Sequence, residues 1–347
     1  MRILLIKPKQ IGDSLILTPT IAAIKQVHPE AEIWVVVRRG CETILAGCPQ
    51  IARILTLAGV EKSDRSKGDL RRQVRTMLSL WSVKFDYVFE LGDGHRARVF
   101  AMLSRARRRF SVKTTSRLKW PERQRFTASS SFDWQTCHRV EKDFHSVSEF
   151  LPLQGPVPPM IFERKFARPW EPARTLTDFA VVQIGSRQGF NRWHREGWRE
   201  VCVHLLERVG NLIVSCGPVA HEKEEAAWLR QELGPRILST QGQADWPEIA
   251  DLLHRAKLYV GPNTAAMHLA AACRCPVVTL FGPSIEDHWY PWQVPYRIVT
   301  TPGYEPTGTT KERYMRVKRR TMEEIQASDV IAAAESLLAE TNGTLPS

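Results

Sequence analysis

Leu258-Tyr259-Val260-Gly261-Pro262-Asn263-Thr264-Ala265-Ala266-Met267-His268-Leu269-Ala270-Ala271-Ala272 decides how this chain is read. It is a buried strand end, then a tight turn, then a helix of small residues. Asn263, Thr264 and Ala265 stand where the helix begins. The first turn of a helix carries amide N–H groups without intrahelical partners and a partial positive charge. A turn without bulky side chains lets a ligand reach that backbone, and a phosphate or pyrophosphate suits it. Two readings stand side by side: a phosphate cradle on the amides of Thr264, Ala265 and Ala266, or a helix that Asn263 or Thr264 merely caps. A second strand follows at residues 276–281, closed by Gly282-Pro283-Ser284. The ligand edge of such a strand–helix–strand unit lies at the carboxyl ends of its strands.

The same alternation extends in both directions. Upstream, residues 179–184 and 212–215 are apolar strands, and residues 222–233 and 246–256 are helices. Trp198, Val201, Leu205 and Val209 line one helical face, which Gly210 closes. In the first half, residues 3–6, 33–37 and 85–90 read as strands. A helix with Leu17, Ile21 and Ile24 on its buried face runs to about Val27, and another runs from His138 to near Leu153. Continuous apolar strands between helices mean parallel sheets covered on both faces. Pro156, Pro158, Pro159, Pro169 and Pro172 mark a joint. The expectation is two Rossmann-like α/β domains, residues 1–165 and 166–325, with a last helix and tail, 326–347, bracing them. Residues 61–75 read as a polar, basic surface segment. Residues 110–137 read as irregular, either an acceptor-binding loop or solvent-facing structure.

A chain of 347 residues holds two domains with real cores, and 43% hydrophobic with 25% charged residues is the balance of a soluble globular protein. No apolar run reaches the ~18–20 residues that cross a bilayer. The charged start, Met1-Arg2-Ile3-Leu4-Leu5-Ile6-Lys7, reads as a strand and not as a signal peptide. Seven scattered cysteines fit a reducing cytoplasm. Cys273-Arg274-Cys275 has no second Cys or His pair at ligand spacing. The net charge of +12 calls for an anionic partner: nucleic acid, lipid head groups or phosphorylated sugars. The charge clusters at Arg105-Ala106-Arg107-Arg108-Arg109, at Lys113, Arg117, Lys119 and Arg123, and along residues 311–320. No nucleic-acid-binding motif accompanies it.

Two further loops lie at ligand edges. Gly12-Asp13 follows the first strand; Asp13 or Ser14 is a plain N-cap, or Asp13 is a carboxylate placed for general-base work. The loop after the strand at 179–184, Gly185-Ser186-Arg187-Gln188-Gly189-Phe190-Asn191-Arg192-Trp193-His194-Arg195, carries three arginines. Guanidinium groups bind phosphate through a planar fork of donors, so this loop would be a second wall for a diphosphate. No Gly-x-Gly-x-x-Gly follows a strand with an acid about 20 residues on, which argues against a dinucleotide oxidoreductase.

These residues resemble glycosyltransferase family 9, the lipopolysaccharide heptosyltransferases. The resemblance is carried by Met1 to Lys7 with Gly12-Asp13-Ser14-Leu15 and Thr18-Pro19, by Phe85-Asp86-Tyr87-Val88, and by Asn191-Arg192-Trp193 at the family's Lys-x-Trp loop. Gly261 to Ala272 is similar to its Asp-(Ser/Thr)-Gly-x-x-His-x-Ala-x-Ala signature, and Pro276 to Ser284 to the strand and turn that follow. The resemblance implies a GT-B fold, two Rossmann-like doubly wound domains facing an interdomain cleft. It implies an inverting, metal-independent transferase with no cofactor, whose co-substrate is a nucleotide sugar, usually ADP-heptose. The acceptor is the lipopolysaccharide core, and an enzyme working on it sits in the cytoplasm against the anionic inner leaflet, for which Arg105 to Arg109 are candidates.

Residue by residue, Asp13 falls at the position given the general-base role, with Lys7 and Gly12 on the acceptor side. Arg187, Asn191, Arg192, Glu222, Asn263, Thr264, Ala265, Ala266 and His268 fall on the donor side. The absence of any Asp-x-Asp pair agrees with metal-free chemistry. Three positions depart from the family pattern: Asn191 replaces its lysine, Asn263 its aspartate, and Ala265 its glycine, which narrows the turn if a positive φ is required there. These departures leave open a relative with another nucleotide-sugar donor, or a non-catalytic binder of anionic glycolipid. Glu222 reads equally as a contact to the nucleotide ribose or as a first-turn helix acid. The aromatic run 288–292 reads either as a sugar-stacking surface or as a buried cluster.

Overall fold

The computed structural model describes residues 1–58, 69–113, 120, 122–186, 189–301 and 310–342. Arg117, Lys119, Arg187 and residues 61–68 of the polar segment lie outside the described residues. The chain divides into two units, Met1–Ile161 and Phe162–Ser347.

The first unit runs β1 (Arg2–Ile6), α1 (Ile11–Leu15), α2 (Leu17–Val27), β2 (Glu32–Arg38), β3 (Ile51–Leu57), α3 (Asp69–Ser82), β4 (Lys84–Glu90), α4 (His95–Leu103), β5 (Arg105–Ser111), α5 (Glu122–Arg125), β6 (Ala128–Ser129) and α6 (Arg139–Ser148). Its sheet has the order β3-β2-β1-β4-β5-β6, and the pairs flanking β1 are parallel. The second unit runs β7 (Phe179–Gln183), α7 (Arg195–Leu205), β8 (Asn211–Ser215), α8 (Ala220–Leu233), β9 (Ile237–Ser239), α9 (Trp246–Arg255), β10 (Tyr259–Pro262), α10 (Ala265–Ala272), β11 (Val277–Phe281), α11 (Glu286–Trp289), β12 (Tyr296–Thr300), α12 (Thr310–Val317) and α13 (Ala327–Asn342). Its order is β12-β11-β10-β7-β8-β9. Ile3 to Ile6 and Phe179 to Val182 have no exposed surface, as strands sandwiched between helix layers require.

Each unit begins in the middle of its sheet and winds outward both ways. The strand order reverses between β1 and β4 in the first unit and between β7 and β10 in the second. The loops leaving the carboxyl ends of such a strand pair diverge and open a crevice, the standard ligand position of doubly wound sheets. The second core continues onto α13, whose Val330, Ala334 and Leu337 are fully buried; α13 packs on α7, β11 and β12.

Several elements differ from the sequence reading. The single helix expected up to Val27 is two, α1 and α2, parted at Ile16. Pro19 has no N–H to give the Leu15 carbonyl, and the Thr18 hydroxyl donates to it instead at 2.7 Å. Residues 69–75 belong to α3. The arginine run is strand β5. It is tolerated there because Arg108 donates to the Tyr87 hydroxyl at 3.2 Å, while Arg109 donates to the Ala101 and Ser104 carbonyls at 3.0 and 2.6 Å, closing the end of α4. Helix α7 stops at Leu205, short of Gly210, whose N–H donates to Asp178 at 3.0 Å.

Candidate active site

In the first unit the site residues gather where β1 and β4 end. Lys7 follows β1 directly, and its backbone N–H donates to Val36 at 2.9 Å. Asp13 and the buried Gly12 lie in α1. The N-cap is Gln10, so Asp13 is a first-turn residue and neither it nor Ser14 is the cap. Asp13 Oδ2 accepts the Gln10 backbone N–H at 3.1 Å. That bond anchors one oxygen of the carboxyl group at the start of the helix.

Around it the charges are dense and mostly closed off. Lys7 Nζ donates to Asp143 Oδ2 at 2.5 Å, with side chains 3% and 0% exposed. Burial pushes the Asp143 carboxyl up, against the pull of Lys7 and Lys142. The Lys142 ammonium and the Arg139 guanidinium lie 4.7 and 4.4 Å from the Trp134 ring centre, a cation–π arrangement. Burial brings Lys142 down to about 8 and lowers Arg139, which Asp13 and Asp143 oppose. At the end of β4, burial raises Glu90 to about 7, with Arg98 its main opposing charge. Arg98 reaches Asp93 at 3.1 Å and Glu122 at 3.5 Å. Asp143, Arg139, Lys142 and Glu90 were not singled out from the sequence. The signal for Asp143 was available: an acid among Val140, Phe144 and Val147, on the helical face that packs inward.

In the second unit the loops after β7 and β10 meet. Asn191 Nδ2 donates to the Asn263 carbonyl at 3.4 Å, joining the two sides of the switch point. Asn191 is buried, and its Oδ1 has no hydrogen-bond partner among the described residues. Thr264 is the N-cap of α10 by position, yet its side chain makes no cap hydrogen bond. The first-turn amides of α10 therefore lack the side-chain acceptor that the capping reading supposes. Ala265 is already helical, and neither it nor Asn263 nor Thr264 has a positive φ. Alanine in place of glycine thus costs this turn no strain. His268, one turn along, is 4% exposed, with its ring edge toward Trp289 at 6.1 Å between centres.

Glu222 lies in the first turn of α8 and is 3% exposed. Its Oε2 accepts the Gly217 N–H at 2.5 Å. A Cβ on Gly185 would stand 1.9 Å from that oxygen, so Gly185 has to be glycine for the carboxylate to reach the loop after β7. Glu225, beneath it, is raised to about 7 by burial and by Glu222, while Arg192 and Arg195 pull it down. The exposed Arg192 thus faces the acids of α8. Of the aromatic run, His288 and Trp292 are buried and Trp289 and Tyr290 half-buried, with Tyr290 against Trp292 and Tyr296 at 5.9 and 5.8 Å. The run forms a largely inward cluster. In the basic stretch 311–320, Arg313 pairs with Asp287, and Arg320 with Glu286 at 3.0 Å. Among the described residues no group of three His, Cys, Asp or Glu is placed to hold a metal ion.

The structure thus brings Asn191, Arg192, Glu222, Asn263, Thr264, Ala265, Ala266 and His268 to one sheet edge of the second unit, and Lys7, Gly12 and Asp13 to one edge of the first. Such edges are where doubly wound sheets take nucleotides and sugars. The sequence profile of glycosyltransferase family 9 (heptosyltransferase) matches residues 74–317, and this chain belongs to that family and is a glycosyltransferase with two Rossmann-like domains of the GT-B class. Lipopolysaccharide heptosyltransferase 3 of Escherichia coli K12 is 26% identical over 338 residues, covering 95% of this chain and 96% of that one. A family 9 glycosyltransferase of Veillonella parvula superposes with a TM-score of 0.78 at 19% identity, covering 98% of this chain and 97% of that one. The E. coli heptosyltransferase WaaC, solved with ADP, superposes with a TM-score of 0.77 at 18% identity, covering 97% and 99%.

Proposed function

We propose that the protein transfers a heptose from ADP-heptose to the inner core of lipopolysaccharide, with inversion at the anomeric carbon and Asp13 as general base. The observation that carries this reading is the turn between β10 and α10, where Thr264 makes no side-chain cap bond and Asn191 rests on Asn263. The first unit takes the acceptor and the second the donor. The diphosphate lies on the amides of Ala265 and Ala266 beside Asn263, with Arg192 and Arg187 as cations from the loop after β7. Glu222 stands on the ribose side, and His268 backs the turn.

Asp13 removes the proton from the acceptor hydroxyl. That oxygen bonds to the anomeric carbon on the face away from the diphosphate, as in inverting glycoside chemistry. The bond from carbon to the diphosphate oxygen breaks, and ADP leaves with the electron pair. The charge growing on ADP falls on the helix amides, which need no rearrangement to receive it. Lys7 and Gly12 shape the acceptor side. The co-substrate is the nucleotide sugar; the reading invokes no further cofactor. The setting is the cytoplasmic face of the inner membrane.

Asn191, Asn263 and Ala265 favour one second reading, a family member with a different nucleotide-sugar donor. A donor panel separates the two. Release of the donor's own nucleoside diphosphate in the presence of a core acceptor is expected with ADP-heptose and not with ADP-glucose or UDP-glucose. Turnover with one of those sugars alone would move the assignment to the second reading.

A further inference from the structure

Helix α3 turns its apolar side outward. Leu70, Val74, Leu78 and Trp81 are 76%, 46%, 61% and 65% exposed, and Met77 is 37% exposed. Their spacing of i, i+4, i+7, i+8 and i+11 puts them on a single stripe about 100° wide. The opposite side is the one that packs: Leu80 is fully buried, and the buried Thr76 donates its hydroxyl to the Thr56 carbonyl at 2.9 Å. The helix is thus fixed to β3 by one side and offers water a row of large apolar groups, which soluble surfaces rarely carry without a use.

The flanks say what covers it. Residues 70–82 contain Arg71, Arg72 and Arg75 and no acid, and all three arginines are exposed. Arg53 of β3, the strand under the helix, is exposed as well, with its guanidinium 4.7 Å from the Trp34 ring centre. An apolar row with a tryptophan, bordered by arginines, fits the boundary between acyl chains and anionic head groups, with Trp81 at the level of the head groups. A second copy of this chain carries the same arginines and the same net +12 charge, so it is a poor complement. No helix among the described residues is long and apolar enough to cross a membrane.

We infer that α3 is the surface by which this protein lies on an anionic phospholipid bilayer. The inference rests on the proposed lipid-anchored acceptor only for its purpose. Its physical case is α3 itself, and it assigns the contact to this helix and not to strand β5.

Co-sedimentation with vesicles of phosphatidylglycerol and phosphatidylcholine, against pure phosphatidylcholine, tests it without donor or acceptor. The full chain is expected to bind the anionic vesicles and to release part of its binding at high salt. Leu78→Glu with Trp81→Glu is expected to lower partition by more than about tenfold, and Arg71→Glu with Arg75→Glu to remove the salt-sensitive part. Circular dichroism and turnover of a soluble core oligosaccharide should match the unaltered protein in both variants, so a lost transferase reading and a lost membrane reading remain distinct results. Equal vesicle binding by the unaltered protein and the Leu78/Trp81 variant would overturn the inference. So would no binding at all, or a concentration-dependent dimer that the variant abolishes.

Discussion

The Lys7 ammonium and the Asp143 carboxylate meet at 2.5 Å with both side chains closed to solvent. The pair ties the end of β1 to α6, two elements that carry site residues on either side of it. Removing one partner strands the other charge in the interior. Asp143→Asn is expected to destabilise the first unit by about 3–5 kcal/mol. Replacing both, Lys7→Met with Asp143→Leu, should recover most of that loss, because an apolar pair of similar volume needs no compensating charge. Urea unfolding of Lys7→Met, Asp143→Leu and the double measures this; strict additivity of the two singles would show that the pair is not coupled.

Asp13→Asn keeps an oxygen to accept the Gln10 N–H and removes the basic carboxylate. The helix is therefore expected to hold, while kcat falls by about 10²–10⁴-fold, the usual contribution of a positioned base. Donor binding should hardly change. A comparison of kcat with the Kd for ADP, taken on the same preparation, separates a lost base from a lost fold.

The β10–α10 turn was legible because strand, turn and small-residue helix follow one another directly between residues 258 and 272, and each step has its own local signal. What was not legible depends on partners distant in sequence. Asp13 looks like a cap until Gln10, three residues earlier, is seen to hold that place. Five residues with four arginines do not look like a strand until Tyr87 and the carbonyls of Ala101 and Ser104 take up their guanidiniums. Helix α3 was missed because its apolar side faces outward, while the side that packs on β3 holds the buried Thr76 and Leu80, and periodicity arguments assume the reverse. Asp143 shows itself as an acid on the inward face of α6, but its partner Lys7 lies 136 residues away and nothing within α6 announces it.

Asn191 joins the loop after β7 to the carbonyl of Asn263. Asn191→Ala removes that bond and the unpartnered Oδ1. The Kd for ADP is expected to rise about threefold to tenfold, the range of one neutral hydrogen bond. Isothermal titration calorimetry reads it directly. An unchanged Kd would place the diphosphate away from this loop.

Glu90 gives a pH signature. Its folded value of about 7 lies above the ordinary 4.5, so the folded state holds the proton more tightly than the unfolded state does. Stability is full below about 4.5, falls as pH rises toward 7, and then stays low. Glu90→Gln mimics the protonated form. It should be near neutral at pH 4.5 and stabilising at pH 8, by about 3 kcal/mol as an upper bound. Melting curves at the two pH values check the sign; stabilisation only at the acid end would contradict it.

The most direct test is a mass spectrum of a truncated, phosphorylated core acceptor after incubation with the folded protein and ADP-heptose. The account predicts a gain of one heptose that disappears with Asp13→Asn. An acceptor left unchanged by protein that still binds ADP, or a gain that survives Asp13→Asn at near-full rate, would contradict it.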